Sequence, residues 1–352
     1  MIPLQHVLPL LLAISMQFSL SACERSPAET ASVSPAPPAQ TQELPEDSQG
    51  PSSPPQEEEE VTAGTEWYRG FRLDNVLHSE TEGDIHYHIY LPDDYDGSSP
   101  YALYLTLPGY EGLYFQGVGE NLYREDFAFQ ALNYNSRMIV AAPQLNDWGE
   151  TSARQTIALT EYLLDHYNID RNQVYANGYS GGGETMSQVM GLRPDLFTAY
   201  LHCSSQWDGA YEPVVESRTP VYLVVGAEDE YYGSQPTQRA YDQLYALYAA
   251  EGLSPEEIQS LLVLDIKDAD YFSAGGAPNQ HGGGNLFAQD PDIMGWLFQT
   301  RSAGLDRRSQ RRNLYVSMEK TAVHRRRAGI HGLTRHDCAG CRTGSRFFGC
   351  VR

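Results

Sequence analysis

Five residues in the middle of the chain, Gly178-Tyr179-Ser180-Gly181-Gly182, combine a hydroxyl with the backbone freedom needed to expose it. They follow the apolar run Gln173-Val174-Tyr175-Ala176-Asn177 and open a helix-like segment, Glu184 to Leu192. A serine hydroxyl is a poor nucleophile at neutral pH, so chemistry at Ser180 requires an adjacent base and donors for the oxyanion that forms. A sharp strand-to-helix turn meets the geometric need, and Gly178 and Gly182 supply positions without a Cβ to crowd it. The pattern alone is also met by a tight turn carrying an incidental serine, so the rest of the chain has to decide between the two.

The two ends separate from the middle by composition. Residues 1–22 read as a signal peptide: the run from Leu4 is too short and too interrupted, by Pro9 and Gln17, for a good membrane span. It closes in Leu20-Ser21-Ala22-Cys23, which resembles the lipobox of bacterial lipoproteins, and that resemblance implies a diacylated Cys23 at the mature N-terminus. An ordinary cleaved secretory signal is the alternative. Residues 23–62 are rich in Pro, Ser and Glu, including Glu57-Glu58-Glu59-Glu60, and bury too little apolar surface to fold. They are expected to tether the domain that follows to an envelope membrane.

Of the 24 Lys and Arg in the chain, thirteen lie after position 300, against three of the 46 Asp and Glu. Residues 301–352 therefore form a basic tail on an acidic body, expected to be disordered and of a composition that suggests a non-native extension. Nucleic-acid binding is not expected of an exported, lipid-anchored protein. Cys338, Cys341 and Cys350 with His336 are a weak metal constellation, and no metal or organic cofactor is expected.

Residues 63–300 have the length of one α/β domain. Ile85–Leu91 alternates like a half-exposed strand, while Tyr101–Leu107 and Arg137–Pro143 are near-continuous apolar runs expected of strands buried on both faces. His86 and His88 share one face of the first of these and read as ordinary strand positions rather than a metal pair. Ser152–Tyr167 and Gln235–Glu251 have helical periodicity, and Ala199–Cys203, Val221–Val225 and Leu261–Ile266 complete the strands. The alternation predicts a mostly parallel open sheet with helices on both faces and functional groups at the carboxyl ends of the strands.

Three such ends carry a serine (Ser180), an acidic run (Gly226-Ala227-Glu228-Asp229-Glu230) and a histidine (His281). In that order the chain resembles the α/β-hydrolase superfamily, and within it the prolyl-oligopeptidase-like group that includes feruloyl esterases and polyhydroxyalkanoate depolymerases. The resemblance implies Ser180 as nucleophile, His281 as base and Asp229 as its orienting acid. Glu228 and Glu230 remain rivals for the acid, and His202 for the base. It implies an oxyanion hole from the N–H of Gly181 and a second amide in the loop after Leu107, most simply that of Tyr110. There Pro108-Gly109 departs from the family's His-Gly pair.

Only Ser204 to Pro220 separates two strands where relatives insert a cap, so no separate cap domain is expected. Glu111, Trp148, Trp207 and Tyr231 are candidate substrate contacts in an open site suited to a small-molecule or polymer-borne ester. The reading is an exported, lipid-anchored monomeric serine carboxylesterase. A serine peptidase with the same triad is the nearest alternative, and a non-catalytic binding protein on the same scaffold the more distant one.

Overall fold

A computed structural model describes residues 60–300. The expected signal peptide, lipidated Cys23, most of the tether and the basic tail lie outside the described residues. Within the range, strands β1 (Glu60–Thr62), β2 (Trp67–Tyr68), β3 (Phe71–Ser79), β4 (Gly83–Tyr90) and β5 (Tyr101–Leu107) precede the short helices α1 (Glu120–Arg124) and α2 (Phe127–Ala131). There follow β6 (Met138–Pro143), α3 (Glu150–His166), β7 (Ile169–Tyr179), α4 (Gly181–Leu192), β8 (Ala199–Cys203), α5 (Glu212–Ser217) and β9 (Val221–Gly226). The chain continues through α6 (Gln235–Ala250), α7 (Pro255–Leu261), β10 (Leu262–Lys267), α8 (Ala269–Ala274), α9 (Gly284–Gln289) and α10 (Pro291–Gln299).

The strands form one sheet in the order β1-β3-β4-β6-β5-β7-β8-β9-β10, with β2 beside β3. The pairs from β6 through β10 are parallel, whereas β1 to β4, and β4 against β6, are antiparallel. The sheet is thus mostly parallel and open, as the alternation of elements predicts. Its antiparallel start was not predicted, although Phe71, Leu73, Asn75, Leu77 and Ser79 alternate as buried positions along β3. The expected domain boundary is also corrected. Glu60–Thr62 pairs with His78–Val76, so backbone hydrogen bonding recruits the end of the acidic run into the sheet edge.

Central strand β5 is buried along its whole length and feeds both layers. Leu103, Leu105 and Leu107 pack with Leu159, Leu163, Met186, Met190 and Leu244 on one face. Ala102 and Tyr104 face Phe127, Phe287 and Leu297 on the other. The helices thereby explain why β5 reads as an unbroken apolar run. From β5 the chain crosses to β6 on one side and returns to β7 on the other, which opens a crevice where the loops after β5 and β7 diverge. Ser180 and Tyr110 sit at those two loops.

Leu105 is fully buried at the centre of this sheet. Leu105→Ala is expected to cost about 2–5 kcal/mol of stability through lost burial and a residual cavity. The urea midpoint should fall with an unchanged slope; a midpoint within error of the parent would contradict the packing described.

Candidate active site

β7 runs into α4 with one residue between them, Ser180, held at φ 53° and ψ −124°. Such a backbone is costly for a side chain and persists only when its surroundings enforce it. They do so by contact. A Cβ on Gly178 would lie 2.4 Å from the carbonyl oxygen of Gly182, and one on Gly182 would lie 2.4 Å from that of Leu107. The Ser180 N–H donates to the Cys203 carbonyl (3.0 Å), and the Ser205 hydroxyl donates to the Ser180 carbonyl (2.6 Å). Neighbouring strand β8 and the loop that follows it thus fix both sides of the turn.

His281 opens a 3-10 turn after α8, and its Nε2 lies 3.0 Å from Ser180 Oγ. Its Nδ1 is 2.8 Å from Oδ2 of Asp229, whose side chain is fully buried. The other carboxylate oxygen accepts the N–H groups of Tyr231 (3.0 Å) and Tyr232 (2.8 Å). Burial works to raise the Asp229 pKa, but the bonds from His281 and these amides outweigh it and hold the carboxyl below its ordinary range. Asp229 is therefore an anion aimed at the imidazole, which favours the tautomer with the proton on Nδ1 and the lone pair on Nε2 facing Ser180.

The rival acids and base have other partners. The Glu230 carboxylate accepts the N–H groups of Gln280 (3.1 Å) and His281 (2.9 Å), so it ties the histidine loop to the acid loop instead of facing the imidazole edge. Gln280 returns the tie by accepting the Glu228 N–H (2.8 Å), while the Glu228 residue itself is exposed. His202 is completely buried, with Nδ1 2.7 Å from the Tyr200 hydroxyl and Nε2 3.2 Å from the Ser205 carbonyl. Desolvation pushes its pKa down to about 4, as befits a neutral packed ring. His86 pairs with Asp74 and stacks on Tyr114, and His88 takes the Asp74 N–H and lies against Gln144. Both histidines are strand positions.

The amides at the proposed oxyanion site come from two element starts. Gly181 is the first residue of α4, so its N–H has no intrahelical acceptor and lies at the positive end of the helix dipole. Tyr110 begins a 3-10 turn, Tyr110–Gly112, whose bonds are made by later amides. The preceding Gly109 packs on Ser180 closely enough that an added Cβ would lie 3.3 Å from the serine Cβ. Its own N–H donates to Glu125 (2.8 Å). Gln144 secures the far side of the same loop through the carbonyls of Gly112 and Gly117 and the N–H of Gly119.

An open cleft of about 720 Å³ surrounds Ser180 and His281, lined by Tyr110, Glu111, Trp148 and Tyr231 among others. Three of the four expected contacts, Glu111, Trp148 and Tyr231, therefore reach the site. Trp207 does not. Its ring stacks on Tyr211, its Nε1 donates to the Gly209 carbonyl, and the residue belongs to the core beneath α4. An aromatic residue soon after a strand is ambiguous in sequence, because core and cleft aromatics look alike there. Between Ser204 and Pro220 the chain forms only the short helix α5.

Several contacts that build the site were not foreseen. Tyr179 donates its hydroxyl to the His281 carbonyl, so the residue before the serine clasps the histidine loop. Trp148 covers Gly181, where an added Cβ would lie 2.9 Å from its ring. Glu184 and Tyr232 share a hydrogen bond of 2.6 Å in the cleft wall. Glu125 retains part of its residue surface, but its carboxyl is enclosed, and desolvation pushes its pKa up to about 8. No sequence signal marks a glutamate for such a role.

The Glu125 shift carries a pH consequence. A carboxyl that ionises near 4.5 when unfolded but near 8 when folded penalises folding as pH rises between those values. Glu125→Gln keeps an acceptor for Gly109 but has nothing to ionise. The variant is therefore expected to melt at the parent's temperature near pH 4 and above it by a margin that widens towards pH 8. A constant difference across that range would refute the enclosed carboxyl.

Comparison with known proteins agrees with this architecture. Residues 144–209, which contain the serine turn, match the model of the prolyl oligopeptidase family. Over 123 residues, 33% of the chain, it is 28% identical to feruloyl esterase B of Thermothelomyces thermophilus. The chain spans 42% of that relative's length. A crystal structure of a thermostable esterase superposes with a TM-score of 0.53 at 19% identity, covering 66% of this chain and 63% of that one. In strand order, serine turn and structural likeness alike, the chain has the α/β-hydrolase fold.

Proposed function

We propose that the chain is a serine hydrolase that cleaves carboxylic esters through an acyl-enzyme. The observation that carries this reading is the unbroken chain of contacts from Ser180 Oγ through His281 to Asp229 at the base of an open cleft. His281 Nε2 takes the hydroxyl proton as Oγ attacks the ester carbonyl, and the electron pair of the carbonyl moves onto its oxygen beside the amides of Gly181 and Tyr110. Collapse of that oxyanion breaks the bond to the alcohol oxygen, which receives the proton from the imidazolium. Water then repeats the sequence on the acyl-enzyme and releases the acid. Asp229 keeps its charge throughout and stabilises the imidazolium.

The open cleft and the likeness to a feruloyl esterase support an ester, including one borne on a bulky group that the exposed rings of Tyr110 and Tyr231 can flank. The family match over residues 144–209 favours a second reading, peptide cleavage by the same three residues. Nitrophenyl esters and aminoacyl nitroanilides compared on one preparation separate them: ester turnover should dominate, and equal or faster anilide turnover would favour the peptidase.

A fluorophosphonate probe is expected to label the protein at Ser180 and to leave Ser180→Ala unlabelled. His281→Ala should lower ester kcat by a factor on the order of 10³ or more with its fold intact. Labelling that persists in Ser180→Ala would remove the catalytic assignment.

We also propose that the domain is displayed from a cell-envelope membrane by a lipid on Cys23, a reading that rests on Leu20-Ser21-Ala22-Cys23 and on the acidic, proline-rich segment after it. Mass spectrometry of the mature protein from a bacterial host should find a diacylglyceryl group on Cys23. An unmodified cysteine, or cleavage elsewhere, would overturn the anchor.

A further inference from the structure

The carboxylates around the cleft differ in what balances their charge. Glu111 pairs with Arg124 at 3.1 Å, and that arginine also holds Glu120. Asp229 faces His281 and two amides, Glu230 takes two amides, and Glu125 takes that of Gly109. Glu184 stands apart. The residue is 6% exposed, it lines the cleft one turn along α4 from Ser180, and its hydrogen-bond partner is a neutral phenol, the hydroxyl of Tyr232 on Oε1. Among the described residues Oε2 has no hydrogen-bond donor and Glu184 has no ion pair.

Desolvation raises the Glu184 pKa, the Tyr232 bond lowers it in part, and nearby Asp208 pushes in the same direction as burial. An enclosed carboxylate of this kind gains most from a cation brought to its open oxygen, because such a partner offsets a desolvation cost already incurred in folding. The surrounding surface suits that partner. Trp148, Tyr231 and Tyr232 line the same cleft, and aromatic faces attract a cationic nitrogen. Among the described residues the one guanidinium in the cleft, that of Arg124, is occupied by Glu111 and Glu120.

We propose that the Glu184 carboxylate, bonded to Tyr232 in the cleft that Trp148 also lines, is a subsite for a cationic nitrogen of the substrate. The preferred ester then carries an ammonium group on its acyl or its alcohol part, within reach of a carbonyl held at Ser180. This deepens the serine-esterase reading and rests on it for turnover, but not for binding.

Isosteric pairs differing only in charge test it and distinguish the two sources of the ammonium. On the alcohol side acetylthiocholine is compared with 3,3-dimethylbutyl thioacetate. On the acyl side the 4-nitrophenyl ester of 4-(trimethylammonio)butyrate is compared with that of 5,5-dimethylhexanoate. The cationic member of one pair is expected to lead by about tenfold or more in kcat/KM, and Glu184→Gln, which keeps an acceptor for Tyr232, should bring that ratio close to one. Ratios near one in both pairs of the parent protein, or a preference untouched by Glu184→Gln, would overturn the subsite. Phenyltrimethylammonium binding to Ser180→Ala, followed by tryptophan fluorescence, gives an answer without turnover. Saturable binding that Glu184→Gln abolishes supports the subsite even if no ester is cleaved, and absence of binding refutes it while leaving the esterase reading standing.

Discussion

The constraint on which the site depends is the close approach of α4 to the ends of β5 and β7. At position 182 the carbonyls of Leu107 and Pro108 stand 2.4 and 2.5 Å from where a Cβ would be, and at position 178 the Gly182 carbonyl stands equally near. Only with both positions bare can the helix start directly after the strand, and only then does Ser180 take its positive φ and lift its hydroxyl clear of the sheet. Other features follow from that approach. The loop after β5 is brought against the serine, the first residue of α4 lines the crevice, and Trp148 can lie on Gly181 because no side chain intervenes.

Electrostatics then divides labour among acids that are chemically alike. Asp229 is kept ionised because three hydrogen bonds, from the imidazole edge and two loop amides, outweigh its burial. Glu125, with a single amide donor, is held towards its neutral form and props Gly109. Glu230 is exposed and serves as a clamp between the loops that carry Asp229 and His281. Tyr179 adds a second clasp from the serine turn itself. The triad is thus supported on two loops: Glu125 holds the loop after β5, while Glu230 and Tyr179 both hold the loop of His281.

Much of this was legible in the chain. Near-continuous apolar runs mark β5 and β6, and Ser152–Tyr167 and Gln235–Glu251 locate α3 and α6 to within two residues at each end. The order serine, acid, histidine in the segments after three of the strands leads to Ser180, Asp229 and His281. The structure brings those three together. Less legible were the edge strands β1 to β3 and the short helix α7, although Ser254 and Glu257 form a capping box at its start. Trp207 was misplaced because one face of a strand-end loop is core and the other is cleft, and a tryptophan satisfies either.

The sequence by itself determined the layered α/β plan and the turn at Ser180, because period, glycine placement and turn chemistry are local properties that survive without knowledge of neighbours. It also narrowed the acid to three adjacent residues. Tertiary structure alone decided among them, since Glu228, Asp229 and Glu230 share nearly one position in the chain yet meet solvent, an imidazole and two loop amides respectively. It alone revealed Glu125 and Glu184 as enclosed carboxyls. The environment that sets their protonation is assembled from β5, α1, α4 and the loop after β9, segments that no local pattern connects.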